Sequence, residues 1–89
     1  IEDKLEKLLL TRGSVTEVDE LRERLEMHDP YDWSSFYDEW KENNNDQYVD
    51  IGETLFIKEG EAISMEDVEE DDIIYILRDD EDAIIIFVE

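Results

Sequence analysis

The chain has 89 residues, 40% of them apolar, so it holds one hydrophobic core, because a chain this short buries only about 60–65% of its unfolded surface. Twenty-nine acidic side chains stand against eight basic ones, a formal charge of −21 that repels nucleic acid and anionic membranes and makes a basic protein the natural partner. With no cysteine there is neither a disulfide framework nor a zinc–thiolate site, and no apolar run approaches the ~20 residues of a membrane helix, so a cytoplasmic location is expected.

Ile1, Leu5, Leu8 and Leu9 fall at the i, i+4, i+7 and i+8 spacing of an amphipathic helix, and Gly13 is its expected stop. Ser14-Val15-Thr16-Glu17 has the spacing of a capping box. Val18, Leu21 and Leu25 follow at helical intervals, which predicts a second helix over 15–27 with Glu17, Glu20, Glu23 and Glu26 on its outer face. Asp29-Pro30 reads as the start of a third helix, along which Trp33, Phe36, Tyr37 and Trp40 recur at i, i+3, i+4 and i+7. Such a stripe suits base stacking, but Asp32, Asp38, Glu39 and Glu42 around it repel phosphate, so core or interface packing is the better reading.

From Tyr48 the period shortens. Residues 54–58 read as a strand, Glu59-Gly60 as a turn and 61–63 as the return strand, after which Ser64 caps a short helical turn with Asp67 three residues on. Residues 73–77 and 83–88 are β-branched and aromatic runs separated by Arg78-Asp79-Asp80-Glu81-Asp82, the pattern of a β-hairpin with an acidic loop. Both hairpin strands are apolar on both faces, which predicts cover from a second layer on one side and a homodimer contact on the other, unless the dimer forms through the aromatic helix. The expected fold is α+β: a single acidic domain whose helical part (1–45) packs on an antiparallel sheet or hairpin in its β-rich part (48–89).

Sites for chemistry are scarce. His28 is the only histidine, there is no Gly-rich phosphate loop, and no residue pairs as nucleophile and base, so no enzyme activity and no catalytic residue is expected. Glycine-centred calcium loops fail as well: Leu55 and Ile57 occupy ligand positions before Gly60, and Lys58 stands where Gly52 needs a glutamate. No metal and no cofactor is expected.

Charge is therefore the candidate site. Residues 45–89 hold 16 acidic side chains against two basic ones, Lys58 and Arg78. The candidate partner-binding residues are Glu66, Asp67, Glu69, Glu70, Asp71 and Asp72 before the hairpin, Asp79, Asp80, Glu81 and Asp82 in its loop, and Asp38, Glu39 and Glu42 beside the aromatic stripe. In size, charge, lack of cysteine and aromatic content the chain resembles the small acidic DNA-mimic inhibitors of phages and mobile elements. The resemblance rests on composition, includes no motif and transfers no residue roles. It implies occupation of the basic nucleic-acid site of a restriction, CRISPR, nucleoid-associated or transcription protein in the host cytoplasm. The acidic, aromatic segment Tyr31 to Trp40 also resembles the inhibitory helix of barstar-like proteins, which implies an alternative role as an immunity protein or antitoxin against a basic nuclease. Those inhibitors begin with a strand in a parallel sheet, and this chain is expected to begin with helices.

Overall fold

The computed structural model describes residues 8–43 and 48–89. Among the described residues eight strands form one mixed sheet: β1 (Leu9–Asp19), β2 (Arg24–Ser34), β3 (Glu39–Glu42), β4 (Tyr48–Asp50), β5 (Leu55–Lys58), β6 (Glu61–Ile63), β7 (Ile73–Asp79) and β8 (Asp82–Val88). This corrects the α+β expectation. Strands take up 64% of the described residues, and the 3-10 turn Met65–Asp67 is their one helical piece. Of the first expected helix, residues 1–7 lie outside the described residues, and Leu9 already belongs to β1.

Each helix signal has a different physical origin in the sheet. Gly13 stops nothing; it lies inside β1, where an added Cβ would sit 2.8 Å from Met27 Sδ, so its bareness makes room for a core side chain. The expected second helix is divided between β1, a turn over residues 20–23, and β2. Val15, Leu25 and Met27 are buried from the two strands, whereas Leu21, counted in the helical stripe, sits in the turn and is 98% exposed. That turn closes locally: Arg22 N–H donates to Asp19 Oδ1 at 3.1 Å, an aspartate turn in place of a helix. Asp29-Pro30 opens no helix. The β1–β2 register shifts between Arg12 and Ser14, leaving Asp29 and Pro30 unpaired with β1 between Tyr31 and His28, and Asp29 takes φ +52°. A proline without an N–H is tolerated inside a sheet at such a bulge.

The expected C-terminal elements form. β7 and β8 pair antiparallel around the turn Asp80-Glu81, β5 and β6 around Glu59-Gly60, and Ser64 and Asp67 complete a capping box on the 3-10 turn. Their setting differs from expectation, because the cover comes from other strands. β1 pairs with β7 over Leu9 to Ser14, bends at its bulges, and carries β2 round until Arg24, Leu25 and Glu26 meet β4. β4 then joins β8 through Asp50 opposite Asp82, with Asp50 N–H donating to Glu81 O at 2.7 Å. The ring β2-β1-β7-β8-β4 is thereby closed, and β3 and the β5–β6 hairpin extend it on the flanks.

Inside the ring the period-2 alternation is plain: Ile74, Ile76 and Arg78 of β7 and Ile86 and Val88 of β8 point in, with Leu25, Val49, Ile51 and Phe56 around them and Val68 against the same core. Each fully buried aliphatic side chain of this size contributes about 1.5–3 kcal/mol, and the closed ring supplies enough of them for a small chain.

The β5–β6 turn gives a first prediction. Glu59 and Gly60 have φ +54° and +80°, the left-handed pair of a type I′ turn, for which Asn-Gly is the preferred sequence. A left-handed conformation costs a side chain such as Glu about 1–2 kcal/mol, and Asn relieves part of that. Glu59→Asn is therefore expected to raise stability by about 1 kcal/mol, read as a higher urea midpoint with an unchanged slope.

Candidate acidic partner-binding surface

The sheet separates the candidate carboxylates into two groups. Glu66 and Asp67 lie on the 3-10 turn and Glu69 to Asp72 in the connection to β7, whereas Asp79 to Asp82 lie at the other end of that seven-residue strand, about 20 Å away at 3.3 Å per residue. Strand directions put the β2–β3 turn, with Asp38 and Glu39, at the Asp79 end. Glu42 sits farther along β3, opposite Tyr31. The expected aromatic helix that was to carry these three is a hairpin, so Asp38 is a turn residue and Glu39 and Glu42 are on an edge strand.

Some of these groups have work within the chain. Asp67 Oδ2 accepts from Ser64 N–H at 3.1 Å, Asp72 Oδ2 accepts from Glu69 N–H at 2.9 Å, and Glu39 pairs with Lys41 at 3.0 Å. Glu66, Glu69, Glu70, Asp71 and Asp79 to Asp82 point into solvent.

The acidic turn at the end of β7 is anchored from below. Arg78 is 1% exposed; its Nη1 donates to Asp80 O at 2.7 Å and its Nε to Thr11 Oγ1 at 2.8 Å. Its Nη2 reaches both oxygens of Asp32 at 3.2 and 3.3 Å, Thr11 Oγ1 donates to Asp32 Oδ1 at 2.5 Å, and Asn43 Nδ2 donates to Asp32 Oδ2 at 2.7 Å. A buried cation is thus satisfied by β1, β2 and its own turn together. Arg78, expected in the acidic loop, belongs to β7, and its position two residues after Ile76 in the period-2 alternation of Ile74 and Ile76 is the sequence signal for its burial.

Around the two groups some charges stand where local energetics disfavour them, glutamates at left-handed positions and like charges across strands, while Asp19–Arg24, Arg24–Asp50, Asp32–Lys41 and Lys58–Glu61 are favourable cross-strand pairs. Among the described residues, every non-glycine with positive φ is acidic: Glu23, Asp29, Asp38, Glu59, Asp71 and Asp80. Like charges also oppose each other across strands, as Glu17 with Glu26, Asp79 with Asp82 and Asp50 with Asp82, pairings that cost stability. Two of these meeting points arise from strand pairing and have no signal in the local sequence. Asp50, Glu53 and Asp82 line a surface depression of about 420 Å³ with Gly52, and Glu23 lies over Gly52 from the tip of the β1–β2 hairpin. Elsewhere, Glu17 and Glu26 share a hydrogen bond across β1 and β2, with Asp19 and Glu70 close by. No three histidine, cysteine or acidic side chains among the described residues converge as a metal-holding group.

The Glu17 carboxyl is raised above its ordinary value of 4.5, first by the hydrogen bond with Glu26 and then by that neighbour's charge. A raised carboxyl means that the folded chain holds a proton the unfolded chain has lost. Its contribution is complete below pH 4.5 and is lost as pH rises through the raised value. Denaturant midpoints followed upward from pH 4.5 are accordingly expected to fall less steeply in Glu17→Gln than in the parent; equal slopes would show that the pair is not coupled.

No family model, curated protein or solved structure matches the chain. No helix among the described residues is long and apolar enough to cross a membrane.

Proposed function

We propose that this protein mimics nucleic acid, presenting ordered carboxylates to the nucleic-acid site of a basic DNA-binding protein and competing with DNA for it. The observation that carries this reading is the meeting of like charges across strands, Glu17 with Glu26, Asp79 with Asp82 and Asp50 with Asp82, together with the glutamates Glu23 and Glu59 at left-handed positions. Sequences ordinarily give left-handed positions to Gly, Asn or Asp and cross-strand pairs to opposite charges, as Asp19–Arg24, Arg24–Asp50, Asp32–Lys41 and Lys58–Glu61 do here, so the departures at these other residues point to a surface kept for its charge. Hydrogen-bonded turns and strand ends hold that charge in place, as a row of phosphates requires and a disordered acidic tail cannot provide.

The two acidic groups lie at the two ends of β7, about 20 Å apart, so a partner that spans both meets carboxylates over that length. Binding should be fast and weaken steeply with salt, because opposite fields steer the encounter and bound ions are released. The test is displacement: labelled duplex is bound to each member of a panel of basic DNA-binding proteins and this chain is titrated in. Loss of the DNA signal as a binary protein complex forms supports mimicry. A stable ternary complex with DNA still bound contradicts it.

A further inference from the structure

Resting on the reading of a basic partner, we infer that the outer face of the sheet, from the β2–β3 hairpin across to β5, is the apolar centre of the interface, and that its occupant is a basic protein with an apolar patch surrounded by lysine and arginine.

The register builds this face. Leu77, Ile85 and Leu55 are aligned across β7, β8 and β5, and Tyr75, Phe87 and Ile57 form the adjacent row. These side chains alternate with the buried set Ile76, Ile86 and Phe56 and therefore point away from the core. Phe87 is 43% and Leu55 47% exposed. Although 29 of the 89 residues are acidic, neither row contains a carboxylate.

The aromatic hairpin continues the surface. Trp33 and Trp40 face each other across β2 and β3, their rings edge to face at 5.4 Å, and Trp40 lies 6.2 Å from Tyr75, joining hairpin to sheet. At the tip, Phe36 is 86% and Tyr37 62% exposed. Large rings left in water on a rigid support are what interface anchors look like, and anchors of this kind carry most of the binding energy in protein complexes.

Charge complementarity selects the occupant. The rim at the hairpin end is Asp38 with the turn Asp79 to Asp82, so whatever covers the rings meets carboxylates immediately beyond them. A second copy would bring its own acidic rim and a net charge of −21 against the first. It would also oppose one convex outer surface to another, since the sheet closes on itself. Nucleic acid is repelled outright. A basic protein satisfies both parts of the surface, in the arrangement of apolar core and polar rim usual for interfaces.

Two peptide probes of equal length and charge separate the contributions: poly-lysine reports charge alone, and an amphipathic Leu–Lys peptide reports charge plus apolar contact. The Leu–Lys peptide is expected to bind at least about tenfold more tightly. The double variant Phe36→Ser with Tyr37→Ser, altered only in an exposed turn, should lose most of that advantage and keep its affinity for poly-lysine, and Phe87→Thr should reduce the advantage from the sheet side. Equal binding of the two peptides, or an advantage that survives both variants, overturns the inference and leaves the acidic reading in place. Failure of poly-lysine itself to bind overturns the acidic reading and this inference with it. Sedimentation of a dimer at tens of micromolar that becomes monomeric in the double variant would assign the face to a second copy and overturn the basic occupant.

Discussion

Asp32→Ala is expected to destabilise the fold by about 3–5 kcal/mol, the range for removing one partner of a buried ion pair, because the buried Arg78 guanidinium loses the carboxylate its Nη2 contacts. Among the hydrogen bonds described above, those to Thr11 Oγ1 and Asp80 O would remain, and neither acceptor is charged. For a chain of this size the loss is a large share of a total near the lower end of 5–15 kcal/mol. Removing the other partner should cost less. In Arg78→Met the interior becomes apolar, while Asp32, 21% exposed at its side chain, keeps Thr11 and Asn43 and reaches water. Urea unfolding of both variants checks the order, and a larger loss in Arg78→Met would mean that solvent reaches the guanidinium. The Asp80 carbonyl contact predicts a second symptom of Asp32→Ala, namely loosening of the acidic turn before global unfolding.

Neutralising that turn as a unit gives the largest expected effect on binding. Single exposed ion pairs contribute at most about 1 kcal/mol, so changing one carboxylate should barely alter the affinity for a basic protein. Asp79→Asn, Asp80→Asn, Glu81→Gln and Asp82→Asn together should weaken it on the order of a hundredfold, at about tenfold per 1.4 kcal/mol. The fold should not suffer: Asn is well suited to Asp80's φ of +55°, and the Asp79–Asp82 and Asp50–Asp82 repulsions are relieved. A quadruple variant that is more stable yet binds far less would separate the demands of folding from those of the partner. Unchanged affinity would move the interface to the Glu66–Asp72 end.

The aromatic segment shows why part of the fold was illegible in the sequence. Trp33 and Trp40 are seven apart, which places them on one face of a helix two turns along, but a hairpin with the four-residue turn 35–38 also sets i opposite i+7. Spacing alone cannot separate the two, and the β-propensity of the aromatics points to the strand. Over 15–27 the obstacle was different. Glutamates and leucines favour helix locally, and the β1 bulges interrupt the alternation that would have announced a strand, so pairing with β7 and β4 overrides propensity. The C-terminal strands were legible because continuous β-branched runs between turn residues have few other readings. That β4, three residues long, closes the ring depends on a single bridge between Asp50 and Asp82, for which two aspartates give no signal. For the site, the acidic stretches themselves were legible; their separation to opposite ends of β7, and the anchoring of one by Arg78, follow from register.

Rigid charge is what the account requires, and backbone order at the acidic turns tests it without any partner. Nitrogen-15 relaxation of the free protein should give order parameters near 0.85 at Asp71, Asp80 and Glu81, matching those of Ile74 and Ile86 in the core strands. Values below about 0.6 at those turns, with the strands rigid, would describe mobile acidic loops on a β scaffold and contradict the account.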